Sequence, residues 1–237
     1  MDKIAKQRLN VVILVDCSKS MQGERIAQVN SALRDIKTHL VDMQNENANV
    51  DFHITVITFS TDAYFLNGDR SKEIENFNFK DIKGGGWSNL HIAYQRLEEI
   101  LKKESKGGIM PDFGGVAPIL LLMTDGMPTS YDWQKHLDSL KKKGWFRVAL
   151  KYALAIGIDT QEAMDVLSKF TGNPETVLKV YTAEALRKVI KVIAVTASKV
   201  KSNSSTMGVG AGAGATNNDV AREEIAEKLD DIKEVEW

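Results

Sequence analysis

The chain has 237 residues, 43% of them hydrophobic and 27% charged, which is material for one well-packed domain with an appendage. Its 31 Lys and Arg nearly balance 32 Asp and Glu, so a net charge of −1 gives no overall field for nucleic acid. A lone cysteine, Cys17, excludes an internal disulfide and a paired-cysteine zinc site, and no apolar run reaches the roughly 20 residues of a membrane span. The polar opening from Met1 to Arg8 predicts no export signal, and with it a cytoplasmic protein without membrane contact.

Residues 11–15, Val-Val-Ile-Leu-Val, form a continuous apolar run, as expected of a central parallel strand covered on both faces. In residues 22–43 the apolar positions Ile26, Val29, Leu33, Ile36, Leu40 and Met43 step by three and four, which predicts a helix. Residues 50–59 are rich in β-branched and aromatic side chains and read as the second strand. Residues 63–83 are less regular: Tyr64-Phe65-Leu66 reads as an edge strand and 73–83 as a polar connection. A helix opens near Ser88-Asn89 and carries Leu90, Ala93, Leu97 and Ile100. The apolar strand 119–123 follows, ending in Thr124-Asp125-Gly126. A helix over 132–143, a strand over 147–158, a helix over 161–170, a short strand over 177–181 and a helix over 183–201 complete the body. This alternation predicts an α/β fold with a doubly wound, mostly parallel central sheet and helices on both faces.

The body, 1–201, is followed by a Gly/Ala/Ser-rich segment, 202–218, that reads as a flexible linker. Residues 219–237 then regain periodicity, with Ala221, Ile225, Leu229, Ile232 and Val235 forming one stripe and Trp237 closing the chain. This tail carries −5 and the rest of the chain +4, so charge is segregated although the total is near zero. An acidic amphipathic helix on a tether fits a docking element, with Ile225, Leu229, Ile232, Val235 and Trp237 as its contacts on a partner or, alternatively, packed back on the body.

Three segments carry candidate chemistry: Asp16-Cys17-Ser18-Lys19-Ser20, Gly84-Gly85-Gly86-Trp87-Ser88-Asn89 and Thr124-Asp125-Gly126-Met127-Pro128-Thr129. Each lies where a strand or glycine turn gives way to a loop, and a doubly wound sheet gathers such points at one edge. Asp16, Ser18 and Ser20 alternate, so an extended backbone turns all three to one side. Two carboxylates and three hydroxyls make an all-oxygen donor set that suits Mg²⁺, with Mn²⁺ as the alternative. Cys17 reads as a buried, inert thiol, and His39, His53, His91 and His136 as dispersed packing residues without metal-ligand spacing. Trp133 reads as core, Trp87 as an anchor for a partner, and Lys141-Lys142-Lys143 as a solvated helix end.

In this order and on this fold, the three segments resemble the von Willebrand factor A (vWA) domain over residues 9–200. The metal-ion-dependent adhesion site (MIDAS) of that family uses Asp-x-Ser-x-Ser, a threonine after a Gly-Gly pair and the aspartate of Thr-Asp-Gly. The resemblance implies that Ser18 and Ser20 bind the metal directly and that Asp16 and Asp125 act mainly through water. Ser88 stands in for the threonine, keeping its hydroxyl and losing its methyl. The implied function is metal-dependent protein–protein interaction, in which a partner contributes Asp or Glu to the metal. Thr-Asp-Gly-Met-Pro-Thr followed by Asp132-Trp133 looks most like the bacterial tellurium-resistance TerY-type proteins. That likeness implies an adaptor in stress response or defence, with a protein kinase or phosphatase as partner. A metal-assisted hydrolase or phosphoryl-transfer enzyme is the alternative, but no P-loop, nucleophile elbow or evident general base accompanies the site. RNA binding ranks last, because no aromatic–basic platform stands out.

Overall fold

The computed structural model describes residues 6–46, 50–158 and 160–180. The expected helix over 183–201, the linker over 202–218 and the tail with Ile225, Leu229, Ile232, Val235 and Trp237 lie outside the described residues. Strand β1 (Gln7–Asp16) leads through a 3₁₀ turn (Lys19–Met21) into helix α1 (Glu24–Glu46) and strand β2 (Val50–Phe59). Two short strands, β3 (Ala63–Phe65) and β4 (Lys72–Glu73), precede helix α2 (Leu90–Ile100) and strand β5 (Ile119–Thr124). Helices α3 (Trp133–Lys141) and α4 (Gly144–Val148), strand β6 (Leu150–Ile156), helix α5 (Gln161–Thr171) and strand β7 (Val177–Val180) follow.

The strands form one sheet in the order β3-β2-β1-β5-β6-β7, with β4 also paired to β2. β1, β2, β5, β6 and β7 run parallel, and only β3 and β4 are antiparallel, both against β2. Alternate residues of β1 feed two cores. Leu9, Val11, Ile13 and Val15 pack with Ile26, Val29, Leu33, Ile36 and Leu40 of α1. Val12 and Leu14 pack on the other face with α2, α3 and α5, where Tyr94 and Phe170 stack at 5.9 Å. Burial of both faces explains why β1 and β5 are apolar without alternation. Among the described residues, no helix is long and apolar enough to cross a membrane.

Two expectations change. The strand anticipated over 147–158 is shorter, because Gly144–Val148 closes a helical turn that buries Phe146 and because Gly157, at φ +64°, ends β6. The ammonium of Lys151, buried inside β6, donates to the carbonyls of Phe146 and Ala149 at 3.0 Å each. The segment 73–83 is also more than a polar connection. Its first residue completes β4, a 3₁₀ turn spans Ile74–Asn76, and Ile74, Phe77 and Ile82 reach the core.

Candidate metal centre

From β1 the chain passes to β2 on one side and returns, through α2, to β5 on the other. The sheet therefore reverses its winding between β1 and β5, and the crevice at such a switch point opens at the carboxyl ends of the strands. Asp16 is the last residue of β1, and Asp125 follows the last residue of β5. Asp16 is fully buried, yet its carboxylate is saturated with donors. Oδ1 accepts the Ser18 backbone N–H at 2.8 Å, and Oδ2 accepts the hydroxyls of Ser88 at 2.8 Å and Thr124 at 2.7 Å. Burial nevertheless pushes its carboxyl above the usual range, with the hydrogen bonds from Ser18, Thr124 and Ser88 pulling back.

Ser18 and Ser20 come together, but not by strand alternation. The backbone leaves the extended form after Ser18 and enters the 3₁₀ turn, which brings the two hydroxyls to 3.1 Å. Ser20 then donates to Asp125 Oδ1 at 2.8 Å. The other oxygen of Asp125 receives the guanidinium of Arg25, which also donates to the carbonyls of Ser20 at 3.3 Å and Gly157 at 3.2 Å. Ser18, Ser20, Asp125, Asp16 and Ser88 thus form one cluster from three loops, with Thr124 bonded beneath it.

The glycine loop is held against the first segment by backbone bonds. Gly85 N–H donates to the Cys17 carbonyl at 2.7 Å and Lys19 N–H to the Gly86 carbonyl at 3.0 Å. Gly86 sits at φ +86°, and a Cβ there would come within 2.5 Å of Thr61 Oγ1, so both conformation and space demand glycine. Thr129 anchors the far side, donating through its N–H and its hydroxyl to the Ser88 carbonyl at 2.9 and 3.0 Å. Trp87, one residue before Ser88, is 69% exposed.

The donor set suits a hard cation. Five oxygen side chains converge, and Arg25 balances only one of two buried carboxylates, which leaves the cluster one negative charge in excess. Thr124 and Arg25 were not among the expected site residues. Thr124 was visible as the first residue of Thr-Asp-Gly. Arg25 had a subtler signal: a cation in the first turn of a helix opposes the macrodipole, so it calls for a carboxylate nearby. Cys17, expected to be a buried, inert thiol, is half-buried. Its thiol donates to the Phe59 carbonyl at 3.2 Å and is pushed up to about 11, chiefly by burial. Trp133 is core, as expected.

The histidines are less dispersed than the sequence suggests. His91 on α2 and His136 on α3 flank Asp132 at 3.6 and 3.5 Å, because packing of α2 on α3 joins residues distant in the chain. His53 contacts Asp51 at 3.1 Å and lies beside Glu73.

Comparison with known proteins gives a consistent family. The model of the von Willebrand factor type A domain matches residues 10–192. Inter-alpha-trypsin inhibitor heavy chain H6 of Homo sapiens is 28% identical over 158 residues, covering 63% of this chain and 11% of that protein. Heavy chain H1 of Sus scrofa is 27% identical over 132 residues, covering 53% of this chain and 14% of that protein. The chain thus spans only a small part of these relatives. Among solved structures, a von Willebrand factor type A protein from Catenulispora acidiphila superposes with TM-score 0.59 at 13% identity, covering 81% of this chain and 43% of that one. Proximal thread matrix protein 1 of the mussel byssus, in a form with a zinc-occupied MIDAS motif, superposes with TM-score 0.55 at 16% identity, covering 83% and 49%. The likeness to both structures is one of fold. With the match to the family model over most of its length, the chain belongs to the von Willebrand factor type A domain family.

Proposed function

We propose that the cluster is a MIDAS that holds Mg²⁺ and recruits a protein partner through an Asp or Glu of that partner. The hydroxyls of Ser18, Ser20 and Ser88 are its direct ligands, and Asp16 and Asp125 act mainly through water. The observation that carries this reading is the convergence of five oxygen side chains at the switch point, around two buried carboxylates with one unbalanced negative charge. Mg²⁺ favours oxygen donors and keeps several waters, so a site with few direct ligands leaves a position for a carboxylate from outside. The cation supplies the local positive potential that such a carboxylate needs.

The loops carrying or flanking the cluster expose large side chains: Trp87 (69%), Tyr131 (102%) and Met127 (48%). These supply apolar contact around the metal-bound carboxylate. The narrower reading, a stress-response adaptor with a kinase or phosphatase partner, rests on Thr-Asp-Gly-Met-Pro-Thr and Asp132-Trp133 alone. Mn²⁺ or Zn²⁺ in place of Mg²⁺ would serve the same geometry, and the mussel byssus protein of similar fold holds zinc at its MIDAS motif.

Titration calorimetry tests the ligand set. Wild type is expected to bind Mg²⁺, with binding lost in Asp16→Ala and in Ser18→Ala/Ser20→Ala. Affinity unchanged in the double serine variant would refute the assignment. Affinity capture with Mg²⁺ present is expected to retain partners on wild type that EDTA and Asp16→Ala both release.

A further inference from the structure

A second cluster of metal-binding character lies at the opposite edge of the sheet. β1 and β2 pair from Gln7–Val50 to Asp16–Phe59, so the MIDAS is at the carboxyl end of β2. Asp51 and His53 are near its amino end, about 20–26 Å away at 3.3 Å per residue. They are two residues apart and so share a face of the strand. Glu73 of β4 is the direct cross-strand partner of His53. One donor atom from each of Asp51, His53 and Glu73 lies within 4.8 Å of the others.

The surroundings orient these donors. His53 Nε2 faces Asp51 Oδ2 at 3.1 Å, and its Nδ1 faces Ser71 Oγ at 3.3 Å. A metal at Nε2 would take the place of the proton that Nε2 shares with Asp51, with Nδ1–H then donated to Ser71 and holding the ring. Asn76 donates to one oxygen of Glu73 at 2.7 Å, fixing that carboxylate. Arg8 is opposite Asp51 in the β1–β2 register, yet its guanidinium goes to Glu104. Lys72 pairs with Asp69. Among the described residues, neither Asp51 nor Glu73 is ion-paired to a lysine or arginine.

We propose that Asp51, His53 and Glu73 form a zinc site that clips β4 to β2. An imidazole nitrogen with two carboxylates matches the donor preference of Zn²⁺ rather than that of Mg²⁺. Tetrahedral zinc places donors about 3.4 Å apart, so side-chain adjustment of roughly 1 Å closes the site around an ion. Zinc there fixes a strand of two residues that otherwise hangs on the sheet by a single short pairing.

The test uses the full chain with Asp16→Ala, which removes the MIDAS from the measurement. Zinc chloride titrated into this variant is expected to bind one equivalent, and cobalt chloride to give visible d–d absorption displaced by zinc. Adding Glu73→Gln is expected to weaken zinc at least tenfold and abolish the cobalt spectrum. Glu73 is exposed, so this change leaves the core intact; His53→Gln should act in the same direction. Failure of Asp16→Ala to take up zinc, or equal zinc affinity with and without Glu73→Gln, overturns the proposal. The MIDAS reading is judged separately, by Mg²⁺ binding to the chain carrying Glu73→Gln alone, which should equal wild type.

Discussion

Arg25 occupies the oxygen of Asp125 that Ser20 leaves open, and its replacement by methionine should separate stability from metal affinity. The Asp125 side chain is 1% exposed and that of Arg25 38%, so the pair is partly screened. Removing the guanidinium leaves a buried carboxylate with one fewer charged donor, at a cost of about 2 kcal/mol in the metal-free protein. For a domain of this size, that lowers the melting temperature by about 4–8 °C. With Mg²⁺ the sign reverses. With Asp125 reaching the ion through a water, the divalent ion and the guanidinium would sit roughly 7 Å apart, a repulsion of about 1.2 kcal/mol even at the dielectric of water. Arg25→Met should therefore bind Mg²⁺ roughly tenfold more tightly and recover part of its thermal deficit when saturated. Calorimetric titration of Mg²⁺ with thermal unfolding in EDTA and in excess Mg²⁺ measures both effects. A variant that is less stable and also binds Mg²⁺ no better than wild type would refute the competition. Arg25 would then be organising Asp125 for the ion instead of standing in for it.

Ser88→Thr should retain Mg²⁺ binding, since the hydroxyl remains and β-branching stiffens χ1, whereas Ser88→Ala should weaken it measurably by calorimetry. With its thiol pushed up to about 11, Cys17 should react slowly with iodoacetamide at pH 8, where roughly 1 in 1,000 thiols is ionised, and fast once denatured; rapid labelling of the native chain would contradict its environment. Glu98 is held below the usual carboxylate range, first by its hydrogen bond from Lys143 and also by Ser139. A depressed carboxyl stabilises the fold above its unfolded pKa and loses that contribution as pH falls through the folded value. Glu98→Gln should thus cost about 0.5 kcal/mol at pH 7 in denaturant titrations, with the gap to wild type closing as pH drops below about 4.5.

Much of this architecture is legible from the chain because burial on two faces leaves an unbroken apolar run, as in β1 and β5. The same rule misleads at Trp145-Phe146-Arg147-Val148, where an apolar stretch before β6 closes a helical turn instead of extending the strand. Asp16, Ser18, Ser20, Ser88 and Asp125 could be singled out because each follows a strand or glycine turn. Strand alternation does not account for the serine spacing, since a 3₁₀ turn rather than an extended backbone joins the hydroxyls. Arg25 and Asp125 are 100 residues apart, and nothing local to either names the other. The same holds for His91 with His136, and for His53 with Glu73: helix packing and strand register create those neighbours, and neither is written in local periodicity.

The cluster at the switch point also has a history during synthesis. Its hydrogen bonds join Asp16 to Ser88 and to Thr124 across 72 and 108 positions of the chain. As the polypeptide leaves the ribosome, β1 and β2 are available early, but the carboxylate of Asp16 must wait for β5 to dock before its donors are complete. An emerging chain therefore carries no complete cluster until Thr124 and Asp125 have been made. On the function proposed above, recognition of a partner would be reserved for molecules whose β1–β5 pairing has closed, and a prematurely terminated product ending before Thr124 would lack the cluster altogether.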